Sequence, residues 1–196
     1  MEFDAKKMAV GNKLAFGRYP QGADGDIAPL HWLVRAVRDG HALLLADRLI
    51  ECLPYHASGH DTTWADCSLR AWLGGEFFIA AFDENERGRI ARAGCENAPN
   101  PSSGAGGSEP TRDSVFLLSL DEYRACFSLT DDRKVYATPY AVRNAPKGGL
   151  QWWLRTAGDS PRYAACVHYL GGVSTFGSPV EDTAIGVRPA LWFRLS

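Results

Sequence analysis

What this chain can fold into is constrained most by residues 151–196, QWWLRTAGDSPRYAACVHYLGGVSTFGSPVEDTAIGVRPALWFRLS. The stretch opens on Trp152, Trp153, Leu154 and Arg155 and closes on Gly186, Val187, Arg188, Pro189, Ala190, Leu191 and Trp192. Aromatic and aliphatic side chains set next to one another are costly to leave in water, so both blocks belong in a core. Between them runs a segment of small, polar and aromatic residues cut by glycines. The expected arrangement is a rigid frame around a surface able to bind a partner. Arg155 and Arg188 sit among apolar neighbours, where a guanidinium stacks on rings and bonds backbone carbonyls, so a structural role is expected for both.

A chain of 196 residues holds one well-packed domain, taken as residues 1–196, and a second would be cramped. Its 45% hydrophobic and 22% charged content is that of an ordinary globular protein. A net charge of −2 without a basic cluster argues against nucleic acid or an anionic membrane as partner. The N-terminus lacks an apolar signal core and no uncharged run could span a bilayer, so a cytoplasmic protein is expected. Cys52, Cys67, Cys95, Cys126 and Cys166 form no dense framework and are expected to be reduced. A Cys52–Cys67 bridge stays open.

In chain order, residues 16–21 read as a strand ended by Pro20, and 31–37 and 42–46 as two more joined by an Asp39-Gly40 hairpin turn. Ser68 reads as the N-cap of a helix stopped by Gly74-Gly75, with a second helix over 76–82. Asp83 and Glu86 form a capping-box signature for a third, running to about Arg92. The Gly, Pro and Ser content of 98–112 predicts a flexible loop. Residues 115–118 read as a buried strand and Ser119-x-x-Glu122 as the cap of a helix through Phe127. Thr138-Pro139 predicts one more short helix. Strands are expected at 152–155, 164–169, 172–176 and 187–194. N-terminal hairpin, short helices in the middle and antiparallel strands last make an α+β order.

Few residues make a case for chemistry. Cys52, His56, His60 and Cys67 are four zinc-type ligands close in sequence, but their spacing matches no standard finger or ribbon. They leave a metal protein or an enzyme as the alternative reading. Cys166 and His168 share a strand face, a poor geometry for a nucleophile and its base, so a packed thiol beside a solvent-facing ring is expected. The acidic pairs Asp131-Asp132 and Glu181-Asp182 read as solvated turns. No serine elbow, metalloprotease helix or glycine-rich nucleotide fingerprint occurs. Neither catalysis nor a cofactor is expected.

Four blocks carry a resemblance: Trp64 with Cys67-Ser-Leu-Arg-x-Trp-Leu73, Val115-Phe-Leu-Leu-Ser119, Trp152-Trp-Leu-Arg155 and Gly186-Val-Arg-Pro-Ala-Leu-Trp192. Together they resemble a bacterial domain of unknown function, from about Phe16 to the C-terminus. Its members are similar to C-type-lectin-fold proteins of the formylglycine-generating-enzyme subtype, many of them variable proteins of diversity-generating retroelements. The resemblance implies a C-type-lectin-like fold and a variable region inside 152–192, framed by fixed scaffold. Error-prone copying there randomises adenines, so asparagine-type codons become many others. The implied ligand-binding positions are Asp159, Ser160, Arg162, Tyr163, His168, Tyr169, Leu170, Ser174, Thr175, Phe176, Ser178, Asp182 and Thr183. None is Lys, Gln, Glu, Met or Trp, the residues that randomising the first two bases of AAC cannot produce. The implied partner is a protein or other macromolecule. No cysteine follows Cys166, so the copper-binding cysteine pair of the oxidases is missing. The calcium and sugar motifs of the lectins are missing too.

Overall fold

The computed structural model describes residues 8–127, 133–143, 145 and 148–195. Asp131 and Asp132 lie outside these residues. Strand β1 (Lys13–Pro20) turns Leu14, Phe16 and Tyr19 inward and pairs antiparallel with β2 (Ile27–Arg38). Asp39 and Gly40 make the tight turn to β3 (His41–Ala46), both with positive φ, 48° and 71°. That backbone suits the twist of a two-residue hairpin, and a glycine takes it without strain. Strand β3 is buried along nearly its whole length, as its unbroken apolar run predicts.

The reason for that burial comes from the other end of the chain. The last strand lies against the free edge of β3, with Leu191 opposite Leu44. With the elements numbered in chain order, the first sheet runs β1-β2-β3-β12-β5, β12 being Ala190–Arg194 and β5 Ile90–Ala91. The second runs β10-β9-β8-β11-β4. Its members are β4 (Glu51–Cys52), β8 (Gln151–Ala157), β9 (Tyr163–His168), β10 (Val173–Pro179) and β11 (Gly186–Val187). Strands β6 (Ala93–Asn97) and β7 (Ser108–Asp113) form a small third sheet. All named pairs are antiparallel except β11 with β8. The single strand expected over 187–194 is two. The chain changes sheets at Arg188 and Pro189, where proline has no N–H for a ladder. The carbonyls of Val187 and Pro189 still accept from Ile50 and Ala46 at 3.0 and 2.9 Å.

Helix α1 (Ser68–Trp72) passes through a π turn (Leu73–Phe77) into α2 (Phe78–Ala81). Gly74 and Gly75 therefore do not stop it. Leu69, Leu73 and Phe77 recur at four-residue spacing and are all buried, and that stripe carries the helix across the glycines. The N-cap is Cys67, one residue before Ser68: its sulfur accepts from Arg70 N at 3.4 Å, while Ser68 Oγ accepts from Ala57 N at 3.0 Å. Helices α3 (Glu84–Arg89) and α4 (Leu120–Cys126) both start with the capping boxes read from sequence. Helix α3 ends at Arg89 because Ile90 is claimed by β12.

Three further expectations are corrected. Residues 115–118 are buried, yet only Phe116 makes a bridge, to Ala190, so they form no strand. Thr138 Oγ1 does accept from Ala141 N at 3.0 Å, but a turn follows and not a helix. There Arg143 lies 3.4 Å over the Tyr140 ring and bonds Glu51 at 3.0 Å. Within 98–112, residues from Ser108 onward belong to β7, and Asn100 is only 1% exposed. Among the described residues no helix is long and apolar enough to cross a membrane.

Candidate functional site

Strand β8 is the spine of the region between the two aromatic blocks. Trp152, Trp153 and Leu154 are fully buried. Trp153 Nε1 donates to Leu53 O at 2.9 Å, and the Trp152 ring packs on Tyr123 with centroids 5.7 Å apart. Arg155 ties four segments together. It is 4% exposed and pairs through both terminal nitrogens with Glu122 of α4. It also donates to Leu117 O at 2.9 Å and to Glu96 O at 3.1 Å. Burial alone would lower its pKa, but the hydrogen bonds and charge of Glu122 outweigh that and raise it.

Arg188 has no such partner among the described residues. It donates from Nε to Ala46 O at 2.9 Å and lies over Trp152 at 5.1 Å and Phe127 at 5.6 Å. Its Nη1 is buried without a partner among the described residues. Burial, and after it the neighbouring Arg35, pushes its pKa down to about 9, which still leaves the group charged at neutral pH. Both arginines are structural, as their surroundings in the sequence suggest.

The opposite edge of this sheet is irregular. Ser174 faces Cys166 and Ser178 faces Ala164, so β10 spends two more residues than β9 over the same length. The excess forms a bulge. Gly177 sits inside it at φ 86°, where a Cβ would come within 2.3 Å of Ala164 O. Only glycine fits there. The Asn100 side chain braces the bulge from behind: its amide nitrogen lies 2.8 Å from Thr175 O and 2.9 Å from Ala157 O and Gly158 O. Its oxygen accepts from Ser102 N and Ser103 N.

The thirteen positions implied by the resemblance lie along this braced edge, at both ends of the hairpins and on the segment between β10 and β11. Asp159, Ser160 and Arg162 form the β8–β9 turn and Tyr163 starts β9, its ring 5.3 Å from that of Phe176. Thr175 and Phe176 lie in the bulge, and Phe176 is 59% exposed. Asp182 and Thr183 follow β10, with Asp182 Oδ1 accepting from Ala184 N at 2.8 Å. His168, Tyr169 and Leu170 lie at the far end, roughly 17 Å away at ~3.4 Å per strand residue. The His168 and Tyr169 rings are 4.5 Å apart and Leu170 is 50% exposed. Ser174 stands between the two groups. Twelve of these side chains are exposed or half-buried; Ser178 is the exception at 9%, its hydroxyl donating to Gln151 Oε1 at 3.0 Å. Most of the positions thus fall in two groups about the β10 edge, while Asp182 and Thr183 lie on the segment that runs from β10 to β11 beside residues 53–56.

Cys52, His56, His60 and Cys67 are not assembled into a metal set. Among the described residues no group of three or more His, Cys, Asp or Glu is placed to hold an ion. Cys67 is occupied as a helix cap, His56 Nδ1 accepts from Ser68 N at 3.2 Å, and Cys52 is in β4. All five thiols are free. Burial is the first cause that raises their pKa values, to about 11 for Cys52 and Cys126 and about 12 for Cys67 and Cys95. Cys166 touches Ser178 and Gln151 at 3.6 Å and His168 points elsewhere, so no nucleophile and base meet.

Sequence reading missed Asn100 and the bulge. The only signals were an Asn-Pro pair inside a glycine-rich loop and the isolated Gly177, neither of which reveals a long-range partner. Strand-rich sheets and a few short helices define an α+β domain, with a braced edge on its second sheet. The chain belongs to the family described as domain of unknown function DUF6273, whose match covers residues 39–195. No curated protein and no solved structure matches it.

Proposed function

We propose that this domain is a ligand-binding module with a C-type-lectin-like scaffold, displaying a variable surface as the variable proteins of diversity-generating retroelements do. It binds a protein or other macromolecule and performs no catalysis. The observation that carries this reading is the division of labour within 151–194. Trp152, Trp153, Leu154, Arg155, Val187, Arg188, Ala190 and Leu191 are buried, while all but one of the thirteen positions are exposed or half-buried. Tyr, Ser, Arg and His on a rigid frame are the adaptable and anchoring residues of known binding surfaces.

Two measurements test it. The DNA downstream of the gene should hold a near-copy of the codons for 152–192, differing at adenines, beside a reverse transcriptase; absence of both ends the diversification reading. In a display library varied at Arg162, Tyr163, Leu170, Phe176 and Thr183, most clones should fold, each change costing less than about 0.5 kcal/mol. Widespread unfolding of that library would end the display reading.

A further inference from the structure

Beside the helical path α1–π turn–α2, away from the edge discussed above, lies a cleft of about 460 Å³. Gly74 and Gly75 line one side, and Arg70, Arg92 and Arg112 line the rest with Asp113. We propose that it is a binding site for the oxyanion of a small molecule, a phosphate ester or a carboxylate.

Charge supplies the first argument. The one carboxylate of the cleft, Asp113, is 7% exposed and already committed. Its oxygens accept from Trp64 Nε1 at 2.9 Å, Thr111 Oγ1 at 2.7 Å and Arg70 Nε at 2.7 Å. Arg70 is thereby oriented, with Ala65 O holding its Nη1 at 2.8 Å. Arg92 donates to the carbonyl of Arg112 at 3.2 Å, which keeps those two residues side by side. The guanidinium groups of Arg92 and Arg112 bond no carboxylate among the described residues. With Arg70 and Asp113 paired to each other, a chain of net charge −2 leaves two uncompensated guanidinium groups, Arg92 and Arg112, in a concavity that concentrates their field. Guanidinium forks match the geometry of phosphate and carboxylate oxygens.

The glycines supply the second, independent argument. Neither Gly74 nor Gly75 has a positive φ, and a Cβ at either would meet nothing within 4 Å. Backbone conformation and packing therefore do not require them, and in a helix each is less favourable than alanine. Their use is to leave the wall of the cleft bare, with side-chain-free backbone facing the arginines. Single-turn π segments inside α-helices are frequent at functional sites.

The test is a titration of the full, ¹⁵N-labelled chain with sodium phosphate and, in a second arm, sodium acetate, against sodium chloride at matched ionic strength and pH. The Gly74 and Gly75 amides and the Arg92 and Arg112 side-chain signals should shift and saturate at millimolar phosphate, and chloride should not reproduce this. Saturation by phosphate alone assigns phosphate esters; saturation by acetate as well extends the site to carboxylates. Arg92→Ala with Arg112→Ala should weaken phosphate at least fivefold. Gly74→Ala with Gly75→Ala should raise Tm, by about 2–4 °C for each substitution, while weakening phosphate. That pair of opposite effects separates a blocked cleft from a damaged fold. Non-saturating shifts, shifts equal to those in chloride, or unchanged affinity in the double arginine variant would overturn the proposal.

Discussion

Replacing Asn100 tests how the candidate surface is held. Its amide group supplies two N–H donors to three carbonyls, those of Ala157, Gly158 and Thr175, all at 2.8–2.9 Å. One donor is shared. Asn100→Ala removes these bonds from a buried position, and each is worth about 1 kcal/mol net. The Ser102 and Ser103 amides that lose their acceptor are near solvent, where water replaces it, so they add little. The expected cost is about 3 kcal/mol, or a Tm lower by roughly 6–12 °C at 2–4 °C per kcal/mol for a chain of this size. Asn100→Asp is nearly the same shape but aims a second oxygen at three carbonyls, so it should cost more than Asn100→Ala. Thermal and urea melts followed by tryptophan fluorescence give the two numbers. Hydrogen exchange over residues 174–178 reports the bulge directly, and protection there should fall in both variants. If Asn100→Asp proves milder than Asn100→Ala, shape and not hydrogen bonding holds the loop, and the argument fails.

Two other outcomes follow from the buried polar groups. Arg155→Lys replaces a fork serving Glu122, Leu117 and Glu96 by a single ammonium, and should cost roughly 3 kcal/mol by urea denaturation; a change under about 0.5 kcal/mol would contradict its role as the tie between segments. The thiols of Cys67 and Cys95 have folded pKa values raised from 9.0 to about 12 by burial. The native state therefore holds these protons more tightly than the unfolded chain, so their contribution is complete below pH 9 and is lost as pH rises toward 12. The urea midpoint should fall across that window, and a Cys67→Ala, Cys95→Ala variant should show a smaller fall; an equal fall in the variant would remove the thiols as its cause.

The parts of this molecule that were legible in sequence are those set by neighbours along the chain. Asp39-Gly40 marks a hairpin, and Asp83 with Glu86 and Ser119 with Glu122 mark helix starts, because each motif satisfies its own backbone within a few residues. Gly74 and Gly75 misled for the complementary reason: their local preference is to end a helix, but a buried stripe from Leu69 to Phe77 overrides it. Residues 115–118 look like a strand by apolar content, whereas the carbonyls of Leu117 and Leu118 accept from Arg155 and that of Phe116 from Ala190, both far away in sequence. At the candidate surface the buried aromatic blocks could be read from composition, and the exposed positions only from the family resemblance. The bulge and its Asn100 brace could not, since both depend on which segments meet. The arginine cleft was hidden likewise, its three cations coming from α1, the β5–β6 link and β7.

The place of β12 has a consequence for how such a protein is made. This strand comes from the last residues of the chain and fills an interior slot between β3 and β5. The segment with the candidate binding positions must therefore be translated completely, and in frame, before the first sheet can close over Phe16, Leu44 and Leu45. A stop codon or frameshift within residues 156–185 deletes that slot's occupant and leaves an apolar edge in water. Substitutions at the exposed positions of that segment leave β12 in its slot, whereas a change that breaks the reading frame removes it. The order of strands makes closure of the first sheet depend on the reading frame of the segment before β12.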